Sequence, residues 1–257
     1  MINLELIGLL AQIPIEVWDK IVTNEPEWQY MHGFIEKYGF GRFSVLMVSV
    51  SLNDYQLKGR AETVYWPRIR ELLEDKKAPG SPEEMRNMLA EFYKGERLAG
   101  QKLKRLSRFL SSDLARRLWK EKPEEVAKDF SQTWLRLAEV MRQKPSDKTI
   151  VFAMKTLGIA LLIAGRRDFA IETSIPVDSR VRSFTKRIGV PAESDEEVRA
   201  FWKEVLERLR KNLSISIIHL DSLVWQIGTL SKPKVIDYFT RLGLRDLGAK
   251  LAGMLEK

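Results

Sequence analysis

Three short segments hold residues whose types and spacing suit chemistry. The first is Ser146-Asp147-Lys148-Thr149, between Pro145 and the apolar run Ile150, Val151, Phe152, Met154 and Leu157. The proline before it and the apolar period after it predict a helix start, with Ser146 as cap and Lys148 in the first turn. A cation there faces the positive end of the helix dipole, at a cost of about 0.3–1 kcal/mol. That cost favours the neutral amine over the ammonium, and the neutral amine is the nucleophile. Adjacent Asp147 works against it. Lys148 therefore reads either as a surface lysine or as an activated one, and position alone does not separate the two. Lys155 is a second candidate on the same stripe, but it lies mid-helix between Met154 and Thr156, where the dipole helps little.

The second segment is Ile175-Pro176-Val177-Asp178-Ser179-Arg180-Val181. Pro176 keeps Ile175 extended, and Asp178 is placed to cap the helix that follows, a structural duty many aspartates perform. The third is His219-Leu220-Asp221-Ser222-Leu223-Val224-Trp225, in which Asp221 and Trp225 project from one helix face, as do Lys148 and Phe152. A carboxylate beside an aromatic plate can hold a purine, its ring stacked and its polar edge satisfied. The alternative for Trp225 is an ordinary core residue.

The elements that position these residues are helical almost throughout. Ser81-Pro82-Glu83-Glu84 and Ser194-Asp195-Glu196-Glu197 read as capping boxes. They open the stripes Met85, Met88, Leu89, Phe92 and Val198, Phe201, Trp202, Val205, Leu206, Leu209. Pro123-Glu124-Glu125 starts a helix carrying Val126, Phe130, Trp134, Leu137 and Val140 inward, and two short helices close the chain around Val235–Arg241 and Leu244–Leu255. Prolines fall between the periodic segments, and no Asn-Gly or Asp-Gly turn joins alternating strands. The expectation is an all-α protein of ten to thirteen helices in two interlocked lobes.

Composition bounds the chemistry. The 257 residues are 44% hydrophobic, enough for a sizeable core, and 43 Lys and Arg against 35 Asp and Glu leave a net charge of +8, which suits a polyanionic partner. The absence of cysteine excludes disulfides, thiolate zinc sites, iron–sulfur clusters and cysteine nucleophiles, and two histidines are too few for a histidine-rich metal site. Glu5 and Gln12 interrupt the first apolar stretch, and Leu157 to Gly165 is too short to span a bilayer, so a cytoplasmic protein is expected. Abundant Lys, Arg and Glu with few Asn and Gln also fit a heat-adapted host. Lys102, Lys104, Arg105 and Arg108 form the densest basic cluster.

Taken together, Asp147–Phe152, Ile175–Val181 and His219–Trp225 resemble the archaeal 8-oxoguanine DNA glycosylases, the AGOG family of the helix–hairpin–helix DNA glycosylase superfamily. The resemblance runs from about residue 20 to 230 and is dense in the last hundred or so. The proline-valine-aspartate box marks the superfamily broadly, whereas the lysine box with His219-Leu220-Asp221 and Trp225 is much narrower. The usual glycine-hydrophobic-glycine hairpin ahead of the lysine is replaced by Arg142-Gln143-Lys144-Pro145-Ser146-Asp147. The likeness implies two subdomains, 1–52 with 168–257 and 53–167, with an active-site cleft between them. It implies Lys148 as nucleophile and Asp178 as its catalytic partner. Phe152 and Trp225 would enclose a flipped base, Asp221 would bind its polar edge, and a family glutamine falls on Gln29, with Glu27 the other choice. Trp66, before Pro67 and so expected in extended chain, matches a family tryptophan at the same pocket after a one-residue shift. The implied protein is a monomer that needs no metal or cofactor. It excises 8-oxoguanine from DNA and cleaves the abasic site; another lesion on the same fold, or a non-catalytic helical DNA-binding module, are the alternatives.

Overall fold

The computed structural model describes residues 4–167, 169 and 174–255. Among the described residues every regular element is a helix. Helices α1 (Leu4–Leu10) and α2 (Ile15–Thr23) open the chain. Then come α3 (Pro26–Met31), α4 (Phe34–Tyr38), α5 (Phe40–Ser51), a π-helical turn (Ala61–Tyr65), α6 (Trp66–Glu74), α7 (Pro82–Lys94) and α8 (Ala99–Leu110). They are followed by α9 (Asp113–Leu118), α10 (Pro123–Lys128), α11 (Phe130–Met141) and α12 (Lys148–Ile163). The last five are α13 (Ser179–Arg187), α14 (Asp195–Leu209), α15 (Ile217–Ile227), α16 (Lys232–Arg241) and α17 (Arg245–Met254). The described helices outnumber the ten to thirteen expected because several are single turns separated by local breaks. The Pro123 segment, for example, divides at Asp129 (φ −104°, ψ 18°) into α10 and α11.

The chain forms two compact units, Met1–Asn24 with Ser174–Lys257 and Glu25–Thr173. The contiguous unit is built on α12, which is apolar on every side, buries all of Ala153 to Leu161, and packs along α5. That pairing draws residues 25–52, expected with the N-terminal lobe, into the middle unit.

The other unit centres on α15. Helix α2 lays Trp18, Ile21 and Val22 into it; Gln226 Nε2 donates to the Ile21 carbonyl at 2.9 Å, and Gln226 Oε1 accepts from the Tyr238 hydroxyl at 2.8 Å. Helix α14 starts with the capping box read from sequence. Ser194 Oγ accepts from Glu197 N, and Glu197 Oε2 accepts in return from Ser194 N at 3.0 Å. Its Trp202 donates to Thr185 Oγ1 at 2.8 Å and stacks on Phe184, which fixes α13.

Candidate active site

The predicted residues fall in both units. Lys148 and Phe152 lie on α12, with Gln29 on α3 and Trp66 on α6; Asp178 precedes α13, and Asp221 and Trp225 share a face of α15.

Lys148 is the first residue of α12, but the capping differs from expectation. Asp147, not Ser146, occupies the cap position, and its carboxylate turns back to accept from Lys144 N at 3.0 Å instead of capping the helix. The first turn of α12 thus has neither a side-chain cap nor an acid. Lys148 is exposed and makes no hydrogen bond or ion pair among the described residues. From there the stripe descends inward: Phe152 is half-buried and Lys155 is 5% exposed. Lys155 Nζ pairs with Glu25 Oε2 at 3.2 Å and lies 5.9 Å from the Phe152 ring.

Two acids flank Pro26 beside this stripe. Glu25 is 1% exposed and Glu27 3%, whereas Gln29 points to solvent. Burial, with the like charge of Glu25 next to it, pushes the Glu27 carboxyl well above the usual carboxylate range, and Lys155 only partly opposes this. Glu27 Oε2 has no hydrogen-bond partner among the described residues.

Trp66 is fully buried, and its backbone is helical (φ −64°, ψ −40°) rather than extended, because the π-helical turn runs straight into α6 with Pro67 behind it. Its indole N–H donates to Asp54 Oδ2 at 3.1 Å. Burial pushes the Asp54 carboxyl up to about 6, although the Trp66 hydrogen bond and the charges of Lys148 and Lys102 pull it down. Neither Asp54 nor Glu25 stands out in sequence; the sole hint at Glu25 is the acid pair around a helix-opening proline.

The segment ahead of Lys148 does without glycine. Arg142 ends α11 in the left-handed region (φ 54°, ψ 47°), where a glycine is cheaper. Side chains hold the turn. Trp134 Nε1 donates to the Pro145 carbonyl at 2.9 Å, and Arg105 binds Gln143 Oε1 at 2.8 Å and Thr149 Oγ1 at 3.1 Å. The basic cluster on α8 is therefore largely structural. Lys102 is fully buried, Arg105 and Arg108 brace this turn, and Lys104 alone of the four faces solvent without such a bond.

In the second unit, Asp178 performs the capping duty read from sequence. Its Oδ1 accepts from the N–H groups of Arg180 at 2.9 Å and Val181 at 3.0 Å, while Oδ2 makes no hydrogen bond among the described residues. On α15, Asp221 is 2% exposed and Trp225 is half-buried. The Arg180 guanidinium lies 4.0 Å from the Trp225 ring centroid, a contact not anticipated from sequence. Of the predicted residues, the contiguous unit holds the exposed amine of Lys148 and the half-buried Phe152, and the other unit holds Asp178, Asp221 and the half-buried Trp225. Among the described residues no cluster of three or more His, Asp or Glu side chains is arranged to hold a metal, and no helix is long and apolar enough to cross a membrane.

The chain is similar to known proteins. An N-glycosylase/DNA lyase of Methanopyrus kandleri is 31% identical over 74% of this chain and 74% of its own length. One from Thermococcus kodakarensis is 28% identical over 72% of this chain and 67% of its own. Among solved structures, Pa-AGOG, an 8-oxoguanine DNA glycosylase from Pyrobaculum aerophilum complexed with 8-oxoguanosine, superposes with a TM-score of 0.72. It covers 96% of this chain and 94% of its own, at 18% identity, and so shares the fold. The match to the AGOG family of N-glycosylase/DNA lyases extends over residues 7–250. With nearly the whole chain covered, the protein belongs to that family, and it is a DNA glycosylase/lyase.

Proposed function

We propose that the protein excises 8-oxoguanine from DNA and then cuts the strand at the abasic sugar, with Lys148 as nucleophile. The contrast between its two candidate lysines carries this reading. Lys148 is exposed at an uncapped helix start, whereas Lys155 is buried against Glu25. The 8-oxoguanosine bound to the P. aerophilum protein supports the choice of lesion.

The target nucleotide is extruded at a cost of a few kcal/mol, and stacking on Phe152 and Trp225 recovers about 1–3 kcal/mol. The neutral Lys148 amine attacks C1′, the glycosidic bond breaks, and its electron pair leaves with the base. The Asp178 carboxylate stabilises the cationic sugar as that bond lengthens. Loss of a proton from the attacking nitrogen and opening of the sugar ring give a Schiff base. Removal of the C2′ proton then expels the 3′ phosphate, which cuts the strand. Asp221 binds the polar edge of the base. Glu27, rather than the solvent-facing Gln29, takes the second polar contact: as a neutral acid it offers one donor and one acceptor, the pair a glutamine amide would supply.

Borohydride trapping on an 8-oxoguanine duplex tests the nucleophile. Lys148→Gln is expected to abolish the adduct, and Lys155→Gln to leave it detectable. An adduct that persists in Lys148→Gln and vanishes in Lys155→Gln reverses the assignment. A panel of duplexes carrying other damaged or mismatched bases tests the lesion, with 8-oxoguanine expected to be released fastest.

A further inference from the structure

The contact between Arg180 and Trp225 has three supports, all within one unit. Asp178 Oδ1 fixes the first turn of α13 through the Arg180 and Val181 amides. Gly228, at the end of α15, presses against that turn; a Cβ there would lie 2.5 Å from the Arg180 carbonyl oxygen and 2.8 Å from that of Val224. Two turns further along α13, Arg187 Nη1 donates to the Gly228 carbonyl at 3.3 Å. These contacts fix the first turn of α13 against the end of α15, and the guanidinium lies 4.0 Å from the indole centroid.

We infer that Arg180 is a positioning residue that backs Trp225, holding the ring for stacking and tuning its open face toward electron-rich, oxidised purines. The inference rests on the reading of Trp225 as a wall for the extruded base. Trp225 is half-buried and has the guanidinium over one face, so a stacked base would take the opposite face. A cation against one face of an indole draws electron density away from the other. The open face then stacks better on a purine enriched in electrons by an added oxygen than on unmodified guanine. Because the base is held equally before and during bond cleavage, the effect belongs in KM rather than kcat.

The test uses the full chain with Arg180→Met, Arg180→Lys and Trp225→Ala, each checked for folding by its Tm. Steady-state cleavage of an 8-oxoguanine duplex is measured alongside competitive inhibition by 8-oxoguanosine and guanosine. Arg180→Met is expected to raise KM by about 2- to 30-fold, with kcat held and 8-oxoguanosine losing more affinity than guanosine. Arg180→Lys, which keeps the charge without the flat fork, is expected to fall between Met and wild type. If Trp225→Ala weakens binding while both Arg180 variants match wild type, the inference is overturned and the stacking reading stands. A kcat that falls in step with Tm in both Arg180 variants also overturns it, because a loose α13 would displace Asp178 as well. If Trp225→Ala binds and cleaves like wild type, the stacking reading fails and the inference with it.

Discussion

Helices α14 and α12 begin in opposite ways. Helix α14 opens with Ser194, capped reciprocally by Glu197, and with Asp195, Glu196 and Glu197 all in its first turn, so its positive pole is neutralised several times over. Helix α12 opens with a lysine, has no acid in its first turn, and receives no side-chain cap because Asp147 bonds backward to Lys144. Helix α13 stands between them: Asp178 caps it well, yet the first turn contains Arg180 and again no acid. The first start is arranged for stability, and the second leaves stability unclaimed around one amine. The proposed nucleophile thus sits where the local helix rules are broken.

The comparison is broken most forcefully at Asp178, where the observed cap and the proposed chemistry fall on one residue. Asparagine caps a helix about as well as aspartate but lacks the charge. Asp178→Asn should therefore keep stability within about 0.5 kcal/mol while strand cleavage falls by about 10²–10⁴-fold. Unimpaired cleavage in a folded Asp178→Asn protein would confine the residue to capping. Ser194→Ala addresses the stable start. It should cost about 0.5–2 kcal/mol in denaturant unfolding without changing the cleavage rate per folded molecule. Lys148→Gln is its mirror image, expected to gain about 0.3–1 kcal/mol as cleavage is lost; an equal or lower stability would deny the helix-start argument.

The smallest effect concerns Asp54. Its folded carboxyl titrates near 6, above the unfolded value of about 3.9, so its contribution to stability is complete below about pH 4 and is lost as pH rises through about 6. Asp54→Asn removes that decline and keeps an oxygen for the Trp66 indole. Its Tm relative to wild type should therefore climb between about pH 4 and pH 7, and parallel curves would mean that Asp54 titrates normally.

What was legible in sequence was local. The capping box at Ser194, the Asp178 cap and the start of α12 at Lys148 each depend on residues within three or four positions. So does the shared face of Asp221 and Trp225. The all-helical class followed from apolar periods of the same range. What escaped depends on partners far along the chain. Glu25 meets Lys155 across 130 residues, and Asp54 meets Trp66 only through a turn that periodicity does not register. Gln29 and Glu27 are both open choices for the family glutamine in sequence, and their difference in burial is a property of packing. Arg142 in a left-handed turn was invisible for the opposite reason: propensity argues against it, and the bonds from Trp134 and Arg105 that stabilise the turn are tertiary.

One unit is assembled from the two ends of the chain, and that has a consequence for synthesis. Gln226, which bonds to Ile21, is translated 205 residues after it. At ordinary elongation speeds, α2 therefore waits roughly 10–40 s for the helix that covers Trp18, Ile21 and Val22. Meanwhile the contiguous unit already has all of its own residues and can close first. The nascent chain must keep a sticky amphipathic segment out of trouble during that interval, which makes its earliest helices the place where translation pauses or chaperone capture would matter most.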